Sequence, residues 1–283
     1  MKKIIAIMVL ILGTGLLEGQ NRTPFVNNYS VTAFGGGWVV QKNTNYNGQY
    51  GGVFGNIFHR LRNSNSSIGL YGSYARSGYS DNLSRYSAST DEWKLGVTFG
   101  TYKPKIIRSY SSWAEISLGL DYSNEKGENH SIKGKYVSNQ RDIGFLIGVN
   151  ANLFKDDLAS ATWLTRSQVE INWRKNINSK REATWEGIAT NDPSWDNSYL
   201  RIIARQNIIS YPGGKNLYLS PKLMLGYEYQ YGDKKNFYSI GLGIGLHKKS
   251  QDDWLKIEWW YKNEYKTNNG LFLLGISLNF SMI

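Results

Sequence analysis

The chain contains no cysteine. That excludes disulfides, thiolate metal sites and a lipid-modified N-terminal Cys. Proline is scarce, with 5 among 283 residues, and no linker divides the chain. Charged residues make up only 19%, below the quarter usual for soluble domains. Combined with 20 Tyr and 10 Trp, this argues against disorder, which goes with high charge and few aromatics. Beyond the N-terminal segment no stretch approaches 18 apolar residues, so the later sequence holds no membrane-spanning helix. What is abundant is glycine, 30 residues, at a level that argues against a helix bundle.

Residues 1–19 read as an export signal. Lys2 and Lys3 form a charged start, and Ile4 to Leu12 is an apolar run of signal-peptide length. A cut after Gly19 leaves residues 20–283 as the mature chain. It removes Lys2, Lys3 and Glu18 and lowers the formal charge from +11 to +10.

The remainder alternates with period two, the side-chain period of a β-strand. Trp93, Leu95, Val97 and Phe99 oppose Lys94, Gly96, Thr98 and Gly100. Ile116, Leu118, Leu120 and Tyr122 oppose Glu115, Ser117, Gly119 and Asp121. The same contrast recurs along 142–154, 237–248 and 270–282. The polar face is often Gly, Ser or Asn, which suits a crowded concave interior better than a solvated sheet face. About twelve such segments are predicted, near 29–41, 50–61, 67–76, 92–102, 111–123, 142–154, 161–175, 197–209, 217–230, 237–248, 254–265 and 270–282. Most hold the roughly 9–11 residues of a tilted membrane strand. Short turns are predicted at 62–66, 103–110, 155–160, 211–216 and 249–253. Long outward loops are predicted at 78–91, 124–141 and 176–197. Aromatics near segment ends, among them Tyr102, Trp113, Tyr122, Trp173, Trp259 and Tyr265, predict two interfacial girdles.

On these features the mature chain resembles bacterial outer-membrane β-barrels along its whole length. The resemblance implies an all-β, antiparallel up-and-down transmembrane barrel of about 12 strands in a Gram-negative-type outer membrane, with both termini periplasmic. It also implies recognition of the last strand by the barrel-insertion machinery. Such strands typically end in an aromatic residue, whereas here Phe280 is followed by Ser281, Met282 and Ile283.

If the apolar face meets lipid, the other face lines a lumen, because a charge on the lipid face costs about 2–4 kcal/mol near the midplane. The predicted lumen residues are Arg166, Glu170, Arg174, Arg201, Arg205, Lys222, Glu228, Lys256, Glu258 and Lys262, with Lys94, Glu115 and Asp121 on the other wall and Glu264 beside Lys262. This assignment places eight basic and six acidic groups inside. A basic ladder would favour anions; the same charges paired with one another would instead hold the wall together.

Lys126, Lys133, Lys135, Arg141, Lys180 and Arg181 fall in predicted outer loops, where surface glycolipid phosphates or an acidic saccharide are fitting partners. No nucleic-acid motif is present.

The leading expectation is a narrow channel for small polar or mildly anionic solutes, including saccharides or an exported polysaccharide. The alternative is a plugged structural or surface-interaction barrel. A third reading, a lipid-modifying enzyme, would need His130 or His247. However, the three histidines, His59, His130 and His247, sit in no nucleophile–base pattern, and no GxSxG, HExxH or phosphate loop occurs. No catalytic residue, metal site or cofactor is predicted.

Overall fold

The computed structural model describes residues 28–40, 43–62, 64–81, 85–107, 110–131, 134–155, 163–210, 217–248, 253–265 and 270–282. The predicted export signal at 1–19 lies outside them.

The strands are β1 (Asn28–Val40), β2 (Asn43–Arg60), β3 (Ser66–Asp81), β4 (Tyr86–Ile107), β5 (Tyr110–Ser131), β6 (Gly134–Lys155), β7 (Trp163–Trp185), β8 (Ile188–Thr190), β9 (Tyr199–Ser210), β10 (Leu217–Gln230), β11 (Lys235–Lys248), β12 (Asp253–Glu264) and β13 (Gly270–Met282). Pairing runs β6-β5-β4-β3-β2-β1-β13-β12-β11-β10-β9-β7, and a β6–β7 ladder closes the ring. Every pairing is antiparallel, including the β1–β13 seam from Tyr29↔Met282 to Val40↔Leu271. Twelve strands therefore form a closed barrel, and β8 is a short spur on β7. Closure leaves the ring without a free edge.

The partition of residues is inverted relative to a soluble protein. Leu95 is 70% exposed and Leu242 61%, while Lys94 is 6% exposed and Arg205 5%. Burying one large aliphatic side chain is worth about 1.5–3 kcal/mol. A continuous outer belt of such residues is therefore stable only against lipid.

Three predicted outer loops are corrected. Residues 78–91 and 124–141 are mostly strand, paired from Gly78↔Ser89 to Asp81↔Tyr86 and from Asn124↔Arg141 to Ser131↔Gly134. Residues 176–197 hold the upper part of β7, then β8, then a return segment at 191–198. The hairpin between β7 and β8 turns on Glu186 and Gly187, both at positive φ (50° and 81°), as a two-residue turn requires. The polar residues read as loop are strand residues above the apolar belt, where both faces of the wall meet polar surroundings and hydrophobic contrast fades. From Tyr122 to Ser131, β5 runs on for roughly 30 Å at the usual rise per residue. The barrel is thus tall at the end away from its termini.

Candidate functional site: the barrel interior

All the predicted lumen residues except Arg166 are buried on the inner face. The Arg166 backbone pairs with Phe154 and Asn207, and its side chain lies outside the described residues. Lys94, Glu115, Asp121 and Glu264 are buried on the same face.

The charges pair along the wall. Arg201 faces Glu228 directly across the β9–β10 ladder, with Nε 3.1 Å from Oε2. Lys262 Nζ reaches the same Oε2 at 2.9 Å from β12, across β11. Arg205 Nη1 lies 2.6 Å from Glu170 Oε2. Arg174 Nε lies 2.6 Å from Asp121 Oδ2, across the whole width of β6. Gly144 makes that reach possible, since a methyl group there would overlap both partners. Glu258 sits within the field of Lys256, Lys222 and Arg205. Glu115 accepts hydrogen bonds from Thr98 Oγ1 (2.6 Å) and Trp113 Nε1 (3.4 Å).

The predicted basic excess is corrected. Among the described residues the buried basic groups are Lys94, Arg174, Arg201, Arg205, Lys222, Lys256 and Lys262, with the inward guanidinium of Arg181 at the tall end, eight in all. The buried acids are Asp81, Glu92, Glu115, Asp121, Glu125, Asp142, Glu170, Glu228, Glu258 and Glu264, ten in all. Asp81, Glu92, Glu125 and Asp142 were missed because they lie at the tall end, in or next to segments read as loop. Their signal was parity: Glu125 follows Glu115, Asp121 and Ser123 on one face of β5.

The opposite wall is aromatic. β1, β2, β3 and β13 turn Phe34, Trp38, Tyr50, Phe54, Phe58, Tyr71, Tyr79, Leu271 and Leu273 inward, all buried. Several rings lie over a glycine directly opposite on the next strand: Tyr50 over Gly36, Phe34 over Gly52, Tyr71 over Gly96 and Trp260 over Gly241. The bare backbone is the seat of the ring, an arrangement known to support sheet glycines. Trp113, predicted for the girdle, is also turned inward, 1% exposed. A methyl group at Gly100 would overlap its ring.

At the tall end the return segment 191–198 leans on this interior. Arg181, predicted for an outer loop, points inward with its side chain 6% exposed. Its guanidinium lies 4.3 Å from the Trp195 ring centre and donates to the Pro193 carbonyl at 3.2 Å and the Tyr136 hydroxyl at 2.7 Å. Gln140 donates to the Trp195 carbonyl at 3.2 Å. Asn197 donates to Asp142, and its carbonyl accepts from Arg174 Nη1 at 3.0 Å. Tyr231 N donates to the Ser198 carbonyl at 3.0 Å. Glu125 lies above the apolar belt beside this network. Its burial pushes its pKa up to about 7, Asp142 adding to the rise and Arg181 opposing it.

Neither described histidine side chain is part of the interior. His59 is exposed; His130 is exposed and pairs with Glu128 at 3.3 Å; the His247 side chain lies outside the described residues. Among the described residues no group of three or more His, Cys, Asp or Glu is placed to hold a metal ion.

No protein-family model matches the chain, and no curated protein matches it. Solved structures do. The chain is similar to the translocator domain of autotransporter NalP from Neisseria meningitidis, with a TM-score of 0.64 at 9% identity over 98% of this chain and 97% of that one. It is similar to the β domain of the Bordetella autotransporter BrkA, TM-score 0.58 at 12% identity over 90% and 100%. It is also similar to the transport unit of the autotransporter AIDA-I from Escherichia coli, TM-score 0.57 at 11% identity over 98% and 97%. The fold is that of an outer-membrane β-barrel. At these identities the likeness concerns architecture, and the lining of the outer-membrane barrel described above is read from its own residues.

Proposed function

We propose that this protein is a passage for small, polar, sugar-like solutes across the outer membrane of a Gram-negative-type bacterium, its termini periplasmic and its tall end outside. The observation that carries this reading is the two-faced interior. A sugar ring has an apolar C–H face that packs on aromatic rings and a rim of hydroxyls that bond best to charged groups. The aromatic wall of β1–β3 and the ionic wall of β5, β7, β9, β10 and β12 offer these two surfaces to one solute. On the ionic wall Arg205 Nε, Gln168 Oε1 and Gln230 Oε1 are buried and have no hydrogen-bond partner among the described residues, so a solute that moves the neighbouring side chains aside finds bonding capacity the ion pairs do not consume. The path runs past Arg174, Arg201, Arg205, Lys222, Lys256 and Lys262 with their carboxylates, and an acidic saccharide has no advantage over a neutral one.

The test is liposome swelling with the purified full chain and neutral oligosaccharides. Saturable sugar entry is expected, with Phe54→Ala shifting half-saturation upward by about fivefold, the loss of one good ring contact. No entry from protein shown to be folded and inserted overturns the proposal. It would favour a structural or surface-interaction barrel instead, a reading supported by how far the charges are spent on neighbouring strands.

A further inference from the structure

The outer face of the wall changes character abruptly between two neighbouring rows at the tall end. The lower row is Tyr74, Trp93, Tyr122 and Ile143, side by side across β3 to β6. Trp93 is 54% exposed and Ile143 41%, and the Tyr74 and Trp93 rings lie 4.4 Å apart. This is the top of the apolar belt, and aromatic rings at that level mark the membrane–water boundary. The row above it is Arg76, Asp91, Asn124, Arg141 and Lys180, across β3 to β7. Arg141 and Lys180 occupy directly opposed positions, with Cα atoms about 5 Å apart by ladder geometry. Like charges directly opposed on one face destabilise a sheet. Lys126, one row higher on β5, adds a third cation.

The local carboxylates do not cancel this charge. Asp91 sits 3.8 Å from Arg76, and Glu182 sits 2.9 Å from Lys180. Among the described residues neither Arg141 nor Lys126 has a carboxylate within ion-pairing distance, and Arg141 acts on Glu182 only at longer range.

We infer that the outer face of β5–β7, one row above the aromatic girdle, binds the phosphate of a phosphorylated glycolipid headgroup through Arg141 and Lys180, with Lys126 above them. A phosphate between the two opposed cations removes their repulsion and accepts hydrogen bonds from both. Cations at a charged membrane surface gain about 1 kcal/mol each. The height selects a lipid, because the headgroup layer lies where the belt ends. The bonding groups select a sugar-bearing one, because side-chain amides surround the cations on the outer face: Asn124 beside Arg141 in the same row, Asn139 beside Lys126 in the row above and Asn178 beside Ile143 in the row below, each able to donate to a sugar oxygen. The inference rests on the outer-membrane placement proposed above but not on solute passage.

The test uses the full chain in phosphatidylcholine nanodiscs, with bound lipid counted by native mass spectrometry. The probes are a diphosphorylated glycolipid, its dephosphorylated form and phosphatidylglycerol. Wild-type protein is expected to retain the diphosphorylated glycolipid, and Arg141→Ser with Lys180→Ser to weaken retention at least about tenfold. Arg141→Lys with Lys180→Arg keeps both charges and is expected to retain it. Lys103→Ser, exposed near the other end of β4, is expected to change nothing. Far-UV circular dichroism verifies folding, and Lys126→Ser alone, expected to give a smaller loss, serves if the double variant fails to fold. Equal retention by the serine variants and wild type overturns the site. Equal binding of the dephosphorylated form overturns the phosphate, equal binding of phosphatidylglycerol overturns the glycolipid, and displacement by excess inorganic phosphate overturns the lipid source.

Discussion

A hydrogen atom at position 144 is what lets Arg174 reach Asp121 past an intervening strand. β6 lies between β5 and β7, so any side chain at its inner surface there would block the pair. Gly144→Val is expected to break the ion pair and leave two buried charges apart, at a cost of about 3–5 kcal/mol. Urea unfolding of the lipid-reconstituted barrel measures this. Adding Asp121→Leu and Arg174→Leu to Gly144→Val should recover most of the loss, since an apolar trio replaces the unpaired charges. Unchanged stability in Gly144→Val alone would show that the pair contributes nothing. The sequence marks Gly144 only as one small inward residue among many. Its role depends on which residues face each other across β6, which the alternation does not encode.

Among the elements, β3 to β7 set the barrel's asymmetry. They continue well past the belt, and the top of β7 is backed by the return segment 191–198 where β9 has not yet begun. Glu125 on β5, Asp142 on β6 and Arg181 on β7 meet in that region. Glu125 has a folded pKa of about 7, against an ordinary value of 4.5. The folded hairpin therefore holds a proton that the opened hairpin releases. Its stability is greatest below about pH 4.5, falls as pH rises through that window, and levels off above about pH 7. Hydrogen exchange of the upper β5–β6 hairpin should show protection dropping at least about tenfold across that range, and Glu125→Gln should flatten the profile. An unchanged wild-type profile would mean that Glu125 is already ionised in the folded hairpin. The sequence predicts shorter strands here because period-two contrast is generated by lipid on one side, and above the lipid it disappears.

For the whole molecule, the proposed passage would take its ion preference from the charge balance inside the barrel more than from the formal +11 of the chain. Much of the positive charge lies on outer surfaces, as Arg76, Lys126, Arg141 and Lys180 do. Inside, the described acids outnumber the described bases. Each Arg named for the path also lies beside a carboxylate. In a planar bilayer under a salt gradient the reversal potential is therefore expected near zero or on the cation side. A clear anion-sided value would restore the basic ladder. Arg201→Glu with Arg205→Glu should move it further towards cations.

Strand architecture and the inside-out partition of residues were legible in the sequence, because period two is a local pattern that physics reads one strand at a time. Trp93 to Phe99 and Ile116 to Tyr122 point to lipid in any register, and Glu170, Arg201 and Lys256 cannot share that face. Tertiary structure decided what is set by register and closure. It brought Arg201 and Lys262 to one carboxylate from either side of β11 and laid Tyr71 over Gly96. It also turned Arg181 inward onto Trp195 and set Arg141 opposite Lys180 one row above the aromatic girdle. Each of these joins residues from different strands, and their meeting depends on which rung faces which once the sheet has closed on itself.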